Sequence, residues 1–156
     1  MAFDIFLKFV GGAGGPLTGE SIASKHANEI DVQSFSWGES RDGAAADPQE
    51  LALVTPISKA SPQIAKYCAE GTPIGSAVLS VNASSAKIGG ELLMIKLMSV
   101  TVGSYQLGVA DSDAQFTDRF TLAFQSVDIR KNLQNPVTGA VTAGDTVSID
   151  FSPPAP

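Results

Sequence analysis

The 156 residues contain one histidine, His26, and one cysteine, Cys68, so the first chemistry to test is a thiolate–imidazole nucleophilic pair. Cys68 lies on the apolar side of an expected helix, SPQIAKYCAEG, where a thiol behaves as a small hydrophobe. His26 stands just before an expected strand, a position suited to a capping or loop hydrogen bond. A zinc site built on one His and one Cys would need carboxylates at a recognisable spacing, and none is present. GGAGGP at Gly11 to Pro16 lacks a following Gly-Lys-Ser/Thr and does not lead into a helix as Gly-x-Gly-x-x-Gly does, so it reads as a turn. DSDAQFTD at Asp111 to Asp118 has acids at the first and third positions of a calcium loop but lacks the glycine at the sixth and the glutamate at the twelfth. Asn82-Ala83-Ser84 matches a glycosylation acceptor in only three residues. No catalytic, cofactor-binding or metal-ligating set emerges, and the chain does not read as an enzyme.

The elements that would position such residues are mostly strands. Phe3, Ile5, Leu7 and Phe9 alternate with Asp4 and Lys8, while Phe6 interrupts the polar side. A second strand runs from about Glu29 to Gly38, followed by a polar loop, Glu39 to Glu50, long enough to be used in contacts. Leu51 to Ile57 is a short extended piece. The helix comes next, with Ser61 as its cap, Pro62 in the first turn and Gly71 in the left-handed closing position. Ile64, Tyr67 and Cys68 share one side of it. Further strands are expected at Ile74 to Asn82, Leu92 to Val102, Phe116 to Ile129 and Thr146 to Phe151. The pattern predicts a mainly β fold, an antiparallel β-barrel or two packed sheets with one flanking α-helix.

Hydrophobic residues make up 44% of the chain and charged ones 17%, enough apolar surface for one folded domain spanning 1–156. Residues 131–145 read as an insertion within it, and 152–156 as a loose tail. A net charge of -6 disfavours nucleic acid and anionic lipid as partners. No segment has the length and apolarity of a membrane helix, and the first residues lack the basic-then-apolar order of a secretory signal. A single cysteine excludes an internal disulfide.

One irregularity recurs. In HANEIDVQSFSWGES, Ile30 and Val32 occupy one strand parity, but Phe35 and Trp37 occupy the other. The same slip separates Phe120, Leu122 and Phe124 from Val127 and Ile129. Either a bulge near Ser34 adds one residue and restores a single apolar face, or the strand is buried on both sides along its length.

DIFLKFVGG, SKHANEIDVQSFSWG, SKASPQIAKYCAEGTPIGSAVLSV, LLMIKLMSVTVGSY and FTDRFTLAFQSVDI occur in an order and spacing that resembles the haemolysin-coregulated protein (Hcp) family, the tube proteins of type VI secretion. The most specific pieces are His26 with the strand ending Ser36-Trp37-Gly38, and Lys59-Ala60-Ser61-Pro62 opening the helix. The resemblance covers residues 1 to about 130. It implies a β-barrel subunit of a hexameric ring, with rings stacking into a hollow tube inside a contractile sheath beneath a spike protein. The tube is expelled into a neighbouring cell, and effector proteins travel in the ring. It further implies synthesis in the bacterial cytoplasm and secretion without a cleaved signal, no cofactor, and no insertion into a membrane. KNLQNPVTGAVTAGD and the glycine-rich GGAGGPLTGES depart from the family pattern.

A ring of this kind needs two different patches on each subunit. Phe3, Phe35, Trp37, Glu39, Arg41, Asp42, Asp47 and Gln49, from the N-terminal strand, the second strand and the polar loop, are the candidates for contact between copies. Two other functions compete with the ring: a monomeric ligand-binding barrel lined by Phe and Met side chains, and a cysteine hydrolase built on Cys68 and His26.

Overall fold

A computed structural model describes residues 3–11, 17–21, 28–42, 45–48, 50–83, 91–109, 116–134 and 141–151, with residues 3, 39–42, 45–48, 83, 109, 134 and 141 described in backbone only. His26, Gln49, Ser84, the body of the glycine-rich turn, residues 111–115 and the tail 152–156 lie outside them. The chain runs through β1 (Phe3–Val10), β2 (Ile30–Val32), β3 (Ser34–Ser36), β4 (Glu39–Asp42), β5 (Ala45–Pro48) and β6 (Leu51–Pro56) to α1 (Ser61–Glu70). It continues through β7 (Ile74–Ala83), β8 (Glu91–Val109), β9 (Phe116–Ala123), β10 (Ser126–Lys131), β11 (Leu133–Gln134), β12 (Val141–Thr142) and β13 (Thr146–Asp150).

All the ladders are antiparallel, and the main one follows the order β2-β1-β7-β8-β9-β6-β3. Its two ends, β2 and β3, are separated in the chain by Gln33 alone, whose N–H donates to the Val54 carbonyl. The covalent chain therefore joins what the ladder leaves open, and the architecture is the expected barrel of two packed sheets with one flanking helix. One sheet holds β2, β1, β7, the first half of β8, β10 and β13. The other holds the second half of β8, β9, β6 and β3.

The phase slips mark where strands cross from one sheet to the other. Ile30 and Val32 are buried, Gln33 and Ser34 are exposed, and Phe35 and Trp37 then pack against the same core. One additional residue restores a single apolar face, which decides for the bulge-like alternative and against two-sided burial. The second slip has the same cause. The expected Phe116 to Ile129 strand divides into β9 and β10, with Phe124 packed on the core, Gln125 exposed and Val127 buried. The facing strand slips at the same level, with Leu97 and Val100 both buried around an exposed Ser99 whose φ is 57°. Because both strands slip together, Met98↔Ser126 and Thr101↔Ala123 keep one register. A left-handed φ on a serine costs on the order of 1–2 kcal/mol, which the continuous core on either side offsets. Corners of this kind are how strands change sheets in orthogonal packings.

Side chains from both sheets fill the interior. Leu7, Leu79 and Ile95 form one row across β1, β7 and β8, while Leu53 and Phe120 face them from β6 and β9. Tyr67 and Ile64 of α1, each 1% exposed, close the core against β8. Phe6, expected on the polar side of β1, is buried together with Leu7, so β1 is covered on both faces at that level.

The helix begins differently from expectation. Its N-cap is Ala60, and Ser61 is its first helical residue. No side chain caps it; the turn before the helix is held instead by Ser58 Oγ accepting from Ala60 N–H at 3.2 Å and Ser61 Oγ accepting from Ser58 N–H at 3.0 Å. Pro62 and Gly71 play the expected roles. Gly71 has φ 67°, and its N–H donates to the Tyr67 carbonyl.

The 131–145 segment is tied at its base by Asn132, which is buried. Its N–H donates to Leu92 O and its Nδ2 to Glu91 O, both at 2.8 Å, while its Oδ1 accepts from Gly144 N–H at 3.1 Å. A Cβ at Gly144 would overlap the Lys131 carbonyl oxygen. Arg130 meets Glu91 at 3.3 Å on the same edge. Asn132→Ala is expected to cost about 1–3 kcal/mol in urea denaturation, because it leaves buried backbone groups unpaired. Gly144→Ala should release the same edge, seen as faster amide exchange in β13 with β1 and β7 unchanged.

Candidate functional site

The candidate contact residues fall into three places. Phe3 heads β1, paired with Ala83. Phe35 is half-buried in β3 opposite Leu53, and Trp37 is half-buried at the end of that strand. Glu39, Arg41, Asp42 and Asp47 all lie in a hairpin, with Arg41↔Ala46 and Asp42↔Ala45 next to its turn and Glu39↔Pro48 at its base. The segment expected as a polar loop is thus paired backbone over most of its length. The side chains of the two paired strands and Gln49 lie outside what the structure describes, and the fold does not bring Phe3 and this hairpin into one ladder.

Trp37 sits 5.9 Å from Phe124 between ring centroids, tilted by 57°, and Phe124 meets Phe151 edge-on at 6.0 Å. This aromatic row ties the ends of β3, β9 and β13 together and contributes about 0.5–1.5 kcal/mol per pair beyond area burial. The indole Nε1 is buried with no hydrogen-bond partner among the described residues. Trp37 therefore supports the core with one face and sits at its margin with the rest.

The outer face of the second sheet is polar and made of small residues. Ser34, Val54, Arg119 and Gln106 form one cross-strand row, and Ser36, Ala52, Thr121 and Ser104 the next. They line a shallow open groove of about 280 Å³. Thr121 Oγ1 donates to Glu50 at 2.6 Å and lies 2.9 Å from Ser104 Oγ. Hydroxyls and one guanidinium on a β-surface form weak, reversible contacts, and no group there is activated as a nucleophile.

A buried polar cluster escaped the sequence reading. Asp118, 1% exposed, accepts a hydrogen bond from Ser61 Oγ and another from Tyr105 Oη at 2.7 Å. Burial first, then the Asp118 carboxylate, pushes the Tyr105 phenol well above its usual range, so it remains a donor. The signal was present in the sequence. Asp118 shares strand parity with Phe120 and Leu122, which places it on the core face, but the calcium-loop comparison drew attention to its charge rather than its parity.

Six large apolar side chains are exposed among the described residues, one of them Val10 at 48% at the end of β1. Ile57, Leu107 and Phe116 stand at 37%, 60% and 64% exposure around the tip of the β8–β9 hairpin. Leu133, just after β10, and Val147, on the outermost strand β13 opposite Ile129, stand at 62% and 59%. Cys68 is half-buried against the core, so it packs as a hydrophobe, and among the described residues no group of His, Cys, Asp and Glu could hold a metal ion. Among the described residues the interior is filled by packed side chains from both sheets, which does not favour the ligand-binding barrel.

Two measurements follow from this geometry. Trp37→Ala should lower monomer stability by about 2–3 kcal/mol, below the roughly 3–5 kcal/mol of a fully buried aromatic, and a urea titration reads the difference. Asp31, cross-strand from Phe6, has its carboxyl raised above the ordinary 3.8, by burial first and by Asp4 second. The folded state holds this proton to higher pH than the unfolded chain does, so Asp31 destabilises progressively as pH rises above about 4. Asp31→Asn should raise the urea midpoint at pH 7 and leave it unchanged at pH 3; an unchanged or lower midpoint at pH 7 would contradict this.

Comparison with known proteins bears on the same features. Residues 6–130 match the family described as "Type VI secretion system effector, Hcp". The chain is 30% identical over 139 residues to Protein hcp1 of Pseudomonas aeruginosa, covering 83% of each. Hcp1 from Salmonella typhimurium superposes with a TM-score of 0.78 at 28% identity, over 97% of this chain and 96% of that one. A type VI secretion system effector from Yersinia pestis has the same fold, with a TM-score of 0.75 at 22% identity over 94% and 99% of the two chains. The family is not one of enzymes. A filled barrel with its helix docked on β8, a sequence match across most of the chain and a shared fold over nearly all of it lead to one conclusion: this chain belongs to the Hcp family of type VI secretion proteins.

Proposed function

We propose that this Hcp-family chain is a ring subunit, six copies closing head to tail and rings stacking into a hollow tube. The observation that carries this reading is the exposed apolar cluster of Ile57, Leu107 and Phe116 at the β8–β9 tip, with further exposed apolar side chains elsewhere, Leu133 after β10 and Val147 on the outermost strand β13 opposite Ile129. Unlike apolar surfaces on one subunit suit a heterologous contact, which closes into a ring when the rotation between copies returns to its start. Neighbouring exposed apolar side chains such as Ile57, Leu107 and Phe116 are what a contact between copies would cover.

Within such a ring, the β4–β5 hairpin with Glu39, Arg41, Asp42 and Asp47 is a second contact element, reaching beside or above its own barrel. Phe35 and Trp37 precede it in the chain, and Phe3 on β1 is a separate candidate contact. The tube would be assembled in the bacterial cytoplasm and expelled without a cleaved signal, with the contractile sheath, the spike protein and effector cargo as partners. The polar groove of Ser34, Ser104, Thr121 and Arg119 is suited to face a lumen, since small hydroxyl side chains hold cargo weakly and release it.

The work of such a subunit is mechanical. It needs no activated group, in keeping with Cys68 and Asp118 both being engaged in packing or hydrogen bonding. Sedimentation velocity of the purified chain should show a hexamer, and negative-stain electron microscopy should show rings with a central hole. Deleting residues 40–47 should weaken ring formation while the far-ultraviolet circular dichroism stays β-rich. A chain that sediments only as a monomer at high concentration, with no rings on the grid, would refute the assembly.

A further inference from the structure

The groove on the outer face of the second sheet is divided by its own hydrogen bonds. Thr121 Oγ1 donates to Glu50, so the Ser104 hydroxyl, 2.9 Å away, donates in turn to Thr121. Both protons are directed toward one carboxylate, and Ser104 is left with lone pairs alone to offer. Glu50 lies over Gly103, where a Cβ would overlap its carboxylate, so it is held at that end. The other end is the reverse. Arg119 stands between Val54 in β6 and Gln106 in β8, and Ser34 lies beyond Val54 in the same row. Arg119 is exposed, and among the described residues its guanidinium has no ion pair or hydrogen bond; the Gln106 amide and the Ser34 hydroxyl beside it are also unengaged.

We infer that this end of the groove is a carboxylate site, and that its occupant is an acidic side chain of an extended cargo segment, received by the Arg119 guanidinium with the Gln106 amide and Ser34 hydroxyl as flanking donors. The chemistry of the site stands on this geometry, whereas cargo as its source rests on the ring reading, in which this wall faces the lumen. A guanidinium presents its N–H groups as a planar fork that matches the two oxygens of a carboxylate. The groove holds about 280 Å³, less than the roughly 300–1,000 Å³ that encloses a whole small molecule, so it takes a side chain carried by something outside. Arg119 is the only cation among the described residues of this face, and the chain has a net charge of -6. One unpaired cation on an acidic protein suits a single carboxylate and repels a chain of phosphates.

Glu50 sets the direction of binding. It bonds Thr121, the next residue after Arg119 on the same face of β9, and so pushes a bound carboxylate toward Gln106 and Ser34. An exposed guanidinium–carboxylate contact is weak and is screened by salt. Repeated around one channel, such contacts hold a cargo by their number and let it go one at a time.

The test is a fluorescence anisotropy titration of the full chain with a dye-labelled Ser-Glu-Ser-Glu-Ser peptide and its counterpart carrying Gln in place of Glu. The Glu peptide should bind at low salt and weaken as salt rises, and the Gln peptide should bind at least about fivefold more weakly. Arg119→Gln should abolish that preference, Arg119→Lys should keep part of it, and Glu50→Gln should tighten binding by about twofold by removing a repelling charge. Equal binding of the two peptides, or a preference that survives Arg119→Gln, would overturn the site. Weaker binding of the Glu peptide in Glu50→Gln would refute the division of the groove, and displacement of the peptide by inorganic phosphate at lower concentration than by acetate would refute the carboxylate class. In sedimentation velocity Arg119→Gln should assemble as the wild type does; assembly lost in that variant would show the guanidinium meeting a second copy and would sink cargo as the occupant. A wild type that never forms rings would remove the ring and the cargo together, while the peptide titration on the same chain still decides the site.

Discussion

A strand that crosses from one sheet to the other must turn its apolar residues toward a core that now lies in a different direction, and the rest of this molecule depends on how that is done. Side chains alternate strictly along a strand, so a turn of the sheet leaves the pattern wrong unless one residue is added. The addition occurs at Gln33 and Ser34, at Met98 and Ser99, and at Gln125 and Ser126. The last two face each other across one hairpin, so the register survives while the surface bends. Without these corners Ile30 and Phe35 could not serve the same core, nor could Leu97 and Val100.

The corners also decide where apolar surface is left over. Tyr105 and Phe120 are the last cross-strand pair packed on the core towards the β8–β9 tip; in the next pair Asp118 is buried but Leu107 is exposed, and Phe116 beyond them is exposed too. Across the sheet Ile95 is buried, its neighbour Ile129 only half so, and Val147 on the outermost strand is exposed. Apolar exposure thus rises where the sheet runs out, at a hairpin tip and on an edge strand. The small polar residues across the outer face of the second sheet leave that wall unsuited to tight binding.

The chemistry of the chain is consistent with this division. Its polar groups are used to fasten elements to one another: Asn132 ties β8 to the last strand, Asp118 ties the helix to the hairpin, and Glu50 reaches Thr121. Type VI secretion asks of an Hcp protein a stable shape with defined contact surfaces, and none of these groups is free to act on a substrate. Buried carboxylates and amides in such a molecule are fasteners.

Much of this was legible in the sequence because it depends on local rules. Parity along each strand, the Pro62 and Gly71 boundaries of the helix, the filling of a single core and the absence of a catalytic set all follow from side chains a few residues apart. The ordered segments shared with the Hcp family were equally plain. The strand slips could be seen but not explained, since the bulge and two-sided burial produce the same residue order, and only the position of β6 and β1 on either side of Gln33 separates them. Asp118 is the clearest case of what tertiary structure alone decided. Its parity placed it inward, but its partners come from α1 and from the far side of a hairpin, and no spacing rule connects Ser61, Tyr105 and Asp118 before the chain has folded. Likewise the exposure of Leu107 and Val147 depends on where the core ends, a property of the assembled sheets rather than of any stretch of sequence.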